Sequence, residues 1–364
     1  MNDVIAICSS KSQFRNSDVE SQVREQTLGR LEKLNEQAGD SPFEHALTAI
    51  SLFDFLDLLR AWSFPSDWQD RFERHMNRLL WLHDTQRELF DFSRNSFADW
   101  NGDSQPDDFA QRTGQVYARL WSGFSREEYY RETLERLSER FTKNDVAVQG
   151  VGHLLDAGCG GGRYTLALHE LGAKRVTGVD VSPEAIALAR RMNHFPRTEA
   201  DFVVGSVIDL PLDDQEFDFV FSNGVLHHTA STEKGLLEIF RVLKPGGRAW
   251  LYLYGGRDSL FWDIVDTCRA LLRAVPQKYV QDLMRVMGYP AGRIFCRCDF
   301  FYVPVHRRYY ESEVEDMLRA AGFGRWRRLH RGIATDWDEI IHRHPKIHPY
   351  IYGEGEMRFL IEKP

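Results

Sequence analysis

Apolar residues in the first part of the chain recur every three or four positions. Leu47, Ile50, Leu52, Phe55, Leu56 and Leu59 fall on one side of a helical period. Ser41-Pro42-Phe43-Glu44 has the spacing of a capping box with proline at the first helical position, so a helix is expected to start there. Ser125-Arg126-Glu127-Glu128 repeats the spacing and predicts a helix running towards Arg140. Pro65 and the 101–106 cluster, Asn-Gly-Asp-Ser-Gln-Pro, break the period and read as loops. Residues 1–145 are therefore expected to form an almost entirely helical N-terminal domain. Trp62, Trp68, Trp81, Trp100 and Trp121 are read as its packing residues.

From about residue 151 the pattern changes. Short apolar runs at 153–156, 175–180, 202–205, 217–222 and 249–254 alternate with helical stretches at 164–171, 183–192 and 232–243. Strand and helix in alternation is the signature of βαβ units and a parallel sheet. Lys244-Pro245-Gly246-Gly247 reads as a helix stop and turn before the fifth strand. Residues 257–309 interrupt the alternation with helical and aromatic segments. A final helix near 312–321 ends at Gly322, and strands near 325–331 and 357–362 would close the sheet.

The strongest chemical signal lies at 154–165, Leu-Leu-Asp-Ala-Gly-Cys-Gly-Gly-Gly-Arg-Tyr-Thr. Gly158, Gly160 and Gly162 stand at a strand-to-helix junction, where missing side chains let the backbone turn sharply and approach a ligand. Helix N-terminal N–H groups point at whatever sits there. Eighteen residues after Gly162, Asp180 ends the next strand, placed to accept hydrogen bonds from both ribose hydroxyls of an adenosine group. A pyrophosphate-binding turn favours the G-x-G-x-x-G spacing, which this run does not match.

The run Asp156-Ala157-Gly158-Cys159-Gly160-Gly161-Gly162 resembles the first motif of class I S-adenosylmethionine-dependent methyltransferases. Gly178-Val179-Asp180-Val181-Ser182-Pro183 is similar to that family's second-strand segment. Asp209-Leu210-Pro211-Leu212 and Phe217–Ser222 resemble its third loop and fourth strand. Asn223–His228 and Glu238–Gly247 resemble its fourth motif and the helix and turn that follow. Ala321-Gly322-Phe323 is similar to the segment the family often has before strand six. The resemblance covers about residues 153–254. It implies an α/β, Rossmann-like, mostly parallel seven-stranded sheet with the last strand antiparallel. The expected domains are 1–145, a helical cap, and 146–364, the S-adenosylmethionine-binding methyltransferase domain with 257–309 as a helical lid after strand five.

The cofactor implied is S-adenosylmethionine. Its expected ligands are Asp156, Gly158, Gly160, Gly162 and Asp180, with Val181, Ser206, Val207 and Asn223. Where the family often has glycine-aspartate after the third strand, this chain has Gly205-Ser206, a shorter neutral acceptor. His228 and His227, just beyond the fourth strand, and His306 in the insertion are candidates for a general base, since an imidazole titrates near the operating pH. Tyr117, Trp121, Phe124, Tyr129 and Tyr130 are placed to cover the cofactor.

Composition narrows the partners. The chain of 364 residues carries a net charge of −8, unlike a typical nucleic-acid binder. The charge is uneven. Residues 1–125 hold 13 basic and 20 acidic residues, and 257–331 hold 14 basic and 9 acidic, a local +5. That stretch either faces an anionic substrate or neutralises acidic neighbours. No apolar run approaches the ~18 residues a membrane helix needs. Five scattered cysteines, at 8, 159, 268, 296 and 298, form no disulfide framework and suit a reducing cytoplasm, and no secretory signal is read at the N-terminus. No metal is expected: His342, His344 and His348 read as a surface loop broken by Pro345 and Pro349. The expected reaction is methyl transfer to a small-molecule acceptor, acidic or aromatic. The alternatives are an RNA methyltransferase and a non-catalytic cofactor-binding interaction protein.

Overall fold

A computed structural model describes residues 42–61, 126–193, 200–345 and 348–364, with 25, 28–33, 36, 74, 77 and 116–117. The five tryptophans, Trp121 among them, and the loops expected at Pro65 and 101–106 lie outside the described residues, as do Phe124, the side chain of Tyr129 and much of the expected helical cap. Within them, α1 runs Pro42–Ala61 and α2 runs Arg126–Lys143. Both begin where the capping-box spacings predict.

The alternating region folds as β1 (His153–Ala157), α3 (Arg163–Glu170), β2 (Arg175–Asp180), α4 (Pro183–Met192), β3 (Ala200–Val204), β4 (Phe217–Asn223), α5 (Thr232–Val242) and β5 (Leu243–Leu253). Helix starts are chemically marked. Ser182 caps α4 by accepting from the Ala185 N–H at 3.1 Å, with Pro183 next to it. Ser231 caps α5 by accepting from the Lys234 N–H at 3.2 Å. Both follow from a serine whose side chain satisfies an otherwise unpaired amide.

Three helices occupy the insertion: α6 (Leu260–Leu271), α7 (Gln277–Val286) and α8 (Ala291–Tyr302). Then come α9 (Glu311–Ala321), β6 (Arg325–Arg328), α10 (Trp337–Arg343), α11 (His348–Tyr352) and β7 (Met357–Glu362). Helix α9 ends at Gly322, in the left-handed region at φ 99°. The sheet order is β3-β2-β1-β4-β5-β7-β6, parallel from β3 to β5, with β7 antiparallel to both its neighbours. Every residue of β1 is buried, as a central strand covered on both faces requires.

Two expectations need correcting. The 244–247 turn does not separate a helix from a later strand. It lies inside β5 as a register shift, the partner of Phe217 being Leu243 and that of Phe219 being Arg248. The 342–348 histidines are a surface loop only in part: His342 is exposed near the end of α10 and His344 is exposed beside Pro345, but Pro349 lies within α11 and His348 is fully buried, stacked on Tyr352.

Apolar faces on both sides of the sheet are filled, by α5 and α9 on one and by α2 and α3 on the other. A third core joins α1 to α6, α7 and α8 through Ala49, Phe53, Phe261 and Phe300. The insertion and the N-terminal helix are thus packed as one unit. Arg297 of α8 is buried and pairs with Asp54 and Asp57 of α1, the latter at 2.9 Å.

Candidate functional site

Strand β1 runs out at Ala157, and the N–H groups of Gly158 and Cys159 both donate to the Val179 carbonyl, at 2.8 and 2.9 Å. Gly158 has φ +88°, and a Cβ there would lie 2.4 Å from a Val225 methyl. Gly162 has φ +84°, and its Cβ would lie 2.9 Å from Ala189 and Phe202. Both conformation and space therefore demand glycine at these two corners. Behind the turn, Asp156 accepts from the Thr165 hydroxyl at 2.7 Å, tying the strand end to α3. Burial pushes the Asp156 carboxyl up to about 7. Asp180 accepts from the Gly160 N–H at 2.8 Å and from the Ser182 N–H at 2.9 Å. Burial raises its pKa, and these backbone donors hold the rise in check. Each of its oxygens keeps a second lone pair.

A cavity of about 440 Å³ opens above this turn, within the usual range of small-molecule sites. Of the expected cofactor residues, Gly158, Gly160, Asp180, Val181, Ser206, Val207 and Asn223 line it. Asp156 and Gly162 do not; they hold the turn from behind. The Ser206 hydroxyl accepts from the Ile208 N–H at 3.3 Å, so the Gly205-Ser206 departure is absorbed as a local turn. Asn223 accepts from the Trp250 indole at 3.0 Å, which fixes its amide at the end of β4.

The three candidate histidines cluster. His227 and His228 lie in the short 3₁₀ turn Leu226–His228, with ring centroids 4.1 Å apart, and His306 lies 5.2 Å from His228. Only His228 lines the cavity. Its Nδ1 lies 2.7 Å from the Val305 carbonyl, which can only accept. That assigns the proton to Nδ1 and leaves Nε2 bare; Nε2 is buried and has no partner. His227 is turned the other way. Its Nδ1 accepts from the Tyr254 N–H at 3.1 Å and its ring stacks on Tyr254 at 3.7 Å. Burial pushes all three imidazoles below their ordinary pKa, so they are neutral near pH 7. For His228 the Asp299 carboxylate and the Val305 carbonyl oppose that shift, while Arg269 adds to it.

Several wall residues carry no sequence motif. Asp299 on α8 accepts from the Tyr117 hydroxyl at 2.7 Å and from the Tyr254 hydroxyl at 2.8 Å. Tyr117, from the aromatic group before the glycine turn, does reach the cavity, but as Asp299's partner. Phe295, Phe300 and Trp337 complete an aromatic wall. At one side Arg140 grips Asp336 with two hydrogen bonds of 2.8 Å, and Arg358 pairs with Glu356 at 2.7 Å. These residues meet only through the antiparallel return of β7 and the placement of α10, which no local spacing announces.

Several cations of the basic stretch 257–331 are tied to carboxylates or carbonyls rather than projecting into the site, although the charge of Arg269 still reaches His228. Arg297 faces Asp54 and Asp57, Arg308 faces Asp266, and Arg257 faces Glu313. Arg269 is spent on the carbonyls of Phe300, Phe301 and Val303. What this stretch gives the cavity wall is Phe295, Cys296, Asp299 and Phe300. The second option for these charges, neutralising acidic neighbours, is the one the contacts support. Among the described residues, no group of three His, Cys, Asp or Glu side chains is placed to hold a metal, and no helix is long and apolar enough to cross a membrane.

Residues 155–251 match the model of a methyltransferase domain. An O-methyltransferase of Penicillium expansum is 28% identical over 163 residues, 44% of this chain and 55% of that protein. A tRNA U34 carboxymethyltransferase of Campylobacter curvus is 32% identical over 109 residues, 30% of this chain and 35% of that protein. The chain thus spans about half or less of the length of these relatives. A crystal structure of an S-adenosylmethionine-dependent methyltransferase from Mesorhizobium loti, 19% identical, overlays 59% of this chain and 92% of its own with a TM-score of 0.39.

Proposed function

We propose, for a chain whose residues 155–251 belong to the class I S-adenosylmethionine-dependent methyltransferases, that the whole protein methylates a small-molecule acceptor in the cavity between β4 and α8. One observation carries this reading. A single cavity of about 440 Å³ is lined by both the glycine turn with Asp180 and the His228–Asp299 wall. The residues fit the family's cofactor. Asp180 keeps lone pairs for ribose hydroxyls, Val181, Ser206 and Val207 offer a largely apolar slot for a purine, and Gly158 brings bare backbone to the cavity.

When bound, S-adenosylmethionine supplies an activated sulfonium methyl group. The protein then has to orient the acceptor, keep water out and take up a proton. The aromatic wall of Tyr117, Tyr254, Phe295 and Phe300 supports the second task. His228 suits the third, because its bare Nε2 accepts a proton while the Val305 carbonyl holds the Nδ1–H. The Asp299 carboxylate favours the imidazolium that results. His227 and His306, which do not line the cavity, support the loop.

An RNA acceptor is the competing reading, since the relatives include tRNA-modifying proteins. The net charge of −8 and the paired cations of 257–331 weigh against it. Incubation with methyl-labelled cofactor separates the two: label entering a low-molecular-weight fraction supports the proposal, and label entering only RNA contradicts it.

A further inference from the structure

The cavity wall holds a carboxylate whose partners are all neutral. Both oxygens of Asp299 accept from tyrosine hydroxyls, Tyr117 and Tyr254. Burial and the carboxylate itself push both phenols up, so they stay protonated and bring no charge. A carboxylate has about four lone-pair sites, so one on each oxygen is left. Among the described residues no Lys, Arg or His forms an ion pair with Asp299: Arg297 is on α1, Arg308 on Asp266, and Arg269, held by backbone carbonyls, acts on Asp299 only without contact.

The other charges of the wall are accounted for. Arg140 and Arg358 face Asp336 and Glu356. Asp180 is bound into the glycine turn. Arg163, on the glycine-turn side, lays its guanidinium over Tyr164 and Phe295, each at 5.1 Å. Asp299 is therefore the one wall carboxylate flanked by aromatic rings and lacking a positive partner among the described residues. Ring faces carry negative electrostatic potential and attract cations, most strongly where water is excluded. Phe295 already carries Arg163 and Tyr254 is stacked on His227, so the carboxylate is the group that binds a positively charged nitrogen, with the rings as the wall that excludes water around it. The bare, buried Nε2 of His228 stands on the same wall as an acceptor for a second donor.

We propose that Asp299 and its ring of aromatic side chains select an acceptor carrying an organic cation, a primary or substituted ammonium group, seated on the carboxylate. This rests on the reading of the cavity as the acceptor site of a methyltransferase. It replaces the acidic substrate that the basic stretch 257–331 suggests in the sequence with a cationic one. Asp299 is a specificity residue on this account.

The test is calorimetric titration of the full chain, first with S-adenosylhomocysteine, then in its presence with phenethylamine, 2-phenylethanol and phenylacetate. These probes share a ring and differ in charge. The amine is expected to bind at least tenfold tighter than the alcohol, and the acid weakest. Asp299→Asn should remove the amine preference while S-adenosylhomocysteine affinity holds. An alcohol or acid that equals the amine on the unaltered chain overturns the inference without touching the methyltransferase reading, and so does a preference that survives in Asp299→Asn. Failure of S-adenosylhomocysteine itself to bind overturns that reading, and the inference with it. The comparison of probes on the unaltered chain stands even if the variant does not fold.

Discussion

Asp180 holds two backbone amides at 2.8 and 2.9 Å and still offers an acceptor on each oxygen. Its replacement by alanine should weaken S-adenosylhomocysteine binding by about 1.5–3 kcal/mol for each charge-assisted hydrogen bond lost, read by calorimetry. Binding within tenfold of the unaltered chain would remove Asp180 from the cofactor site. His228→Ala should lower turnover by about 10²–10⁴-fold and leave cofactor affinity unchanged. An equal loss of cofactor binding would mark the imidazole as a loop support. Burial lowers the pKa of His228, so the base form persists below the ordinary value of 6.5, and the acid limb of kcat/KM should lie below that pH. The groups facing it are Asp299, Arg269, His227, His306, Tyr117 and Tyr254. Asp299 raises the His228 pKa, so Asp299→Asn should move the limb to still lower pH; a limb shifted upward would contradict the arrangement. Gly158, Asp180 and His228 are legible in the sequence because each stands at or just beyond its own strand end. Asp299 is not, because its partners Tyr117 and Tyr254 are far along the chain and meet it only when α8 packs.

Helix α8 is positioned by Arg297, whose side chain is 2% exposed while Asp54 and Asp57 of α1 are 38% and 27% exposed. Removing one member of a fully buried ion pair costs about 3–5 kcal/mol. Here the carboxylates left behind can reach water, so Arg297→Met should cost less, about 1–3 kcal/mol in denaturant unfolding. A change below 0.5 kcal/mol would show that the apolar contacts of α1 with α6 and α8 suffice by themselves. The alternation of strands and helices is legible in the apolar period, and the ends of α4, α5 and β7 match it closely. Proline and two glycines at 244–247 have the composition of a turn, whereas a register shift inside β5 uses the same residues. Helices α10 and α11 escaped notice because they are short and interrupted by Pro345. Their burial comes from Trp337 and Tyr352 packing on α6, a tertiary effect without a local pattern.

Among the described residues, much of the charge is held in local pairs. Bulk RNA should therefore bind weakly and with a shallow dependence on salt; a steep loss of affinity between about 50 and 200 mM salt would indicate many phosphate contacts and reverse the assignment of acceptor class. Net charge and the +5 stretch are visible in composition, yet the direction in which the cations point is not, since Arg297 and Arg308 find their carboxylates, and Arg269 its carbonyls, only through packing. The glycine turn and the Asp299 wall line one chamber, which on the proposed function holds S-adenosylmethionine at one end and a small acceptor at the other. Calorimetric titration of the full chain with S-adenosylhomocysteine and, separately, with NAD tests it most directly. S-adenosylhomocysteine should bind saturably at a micromolar Kd, about −8 kcal/mol, with binding abolished or strongly weakened in Asp180→Ala and NAD inert. Tight binding of NAD, or no binding of S-adenosylhomocysteine, would contradict it.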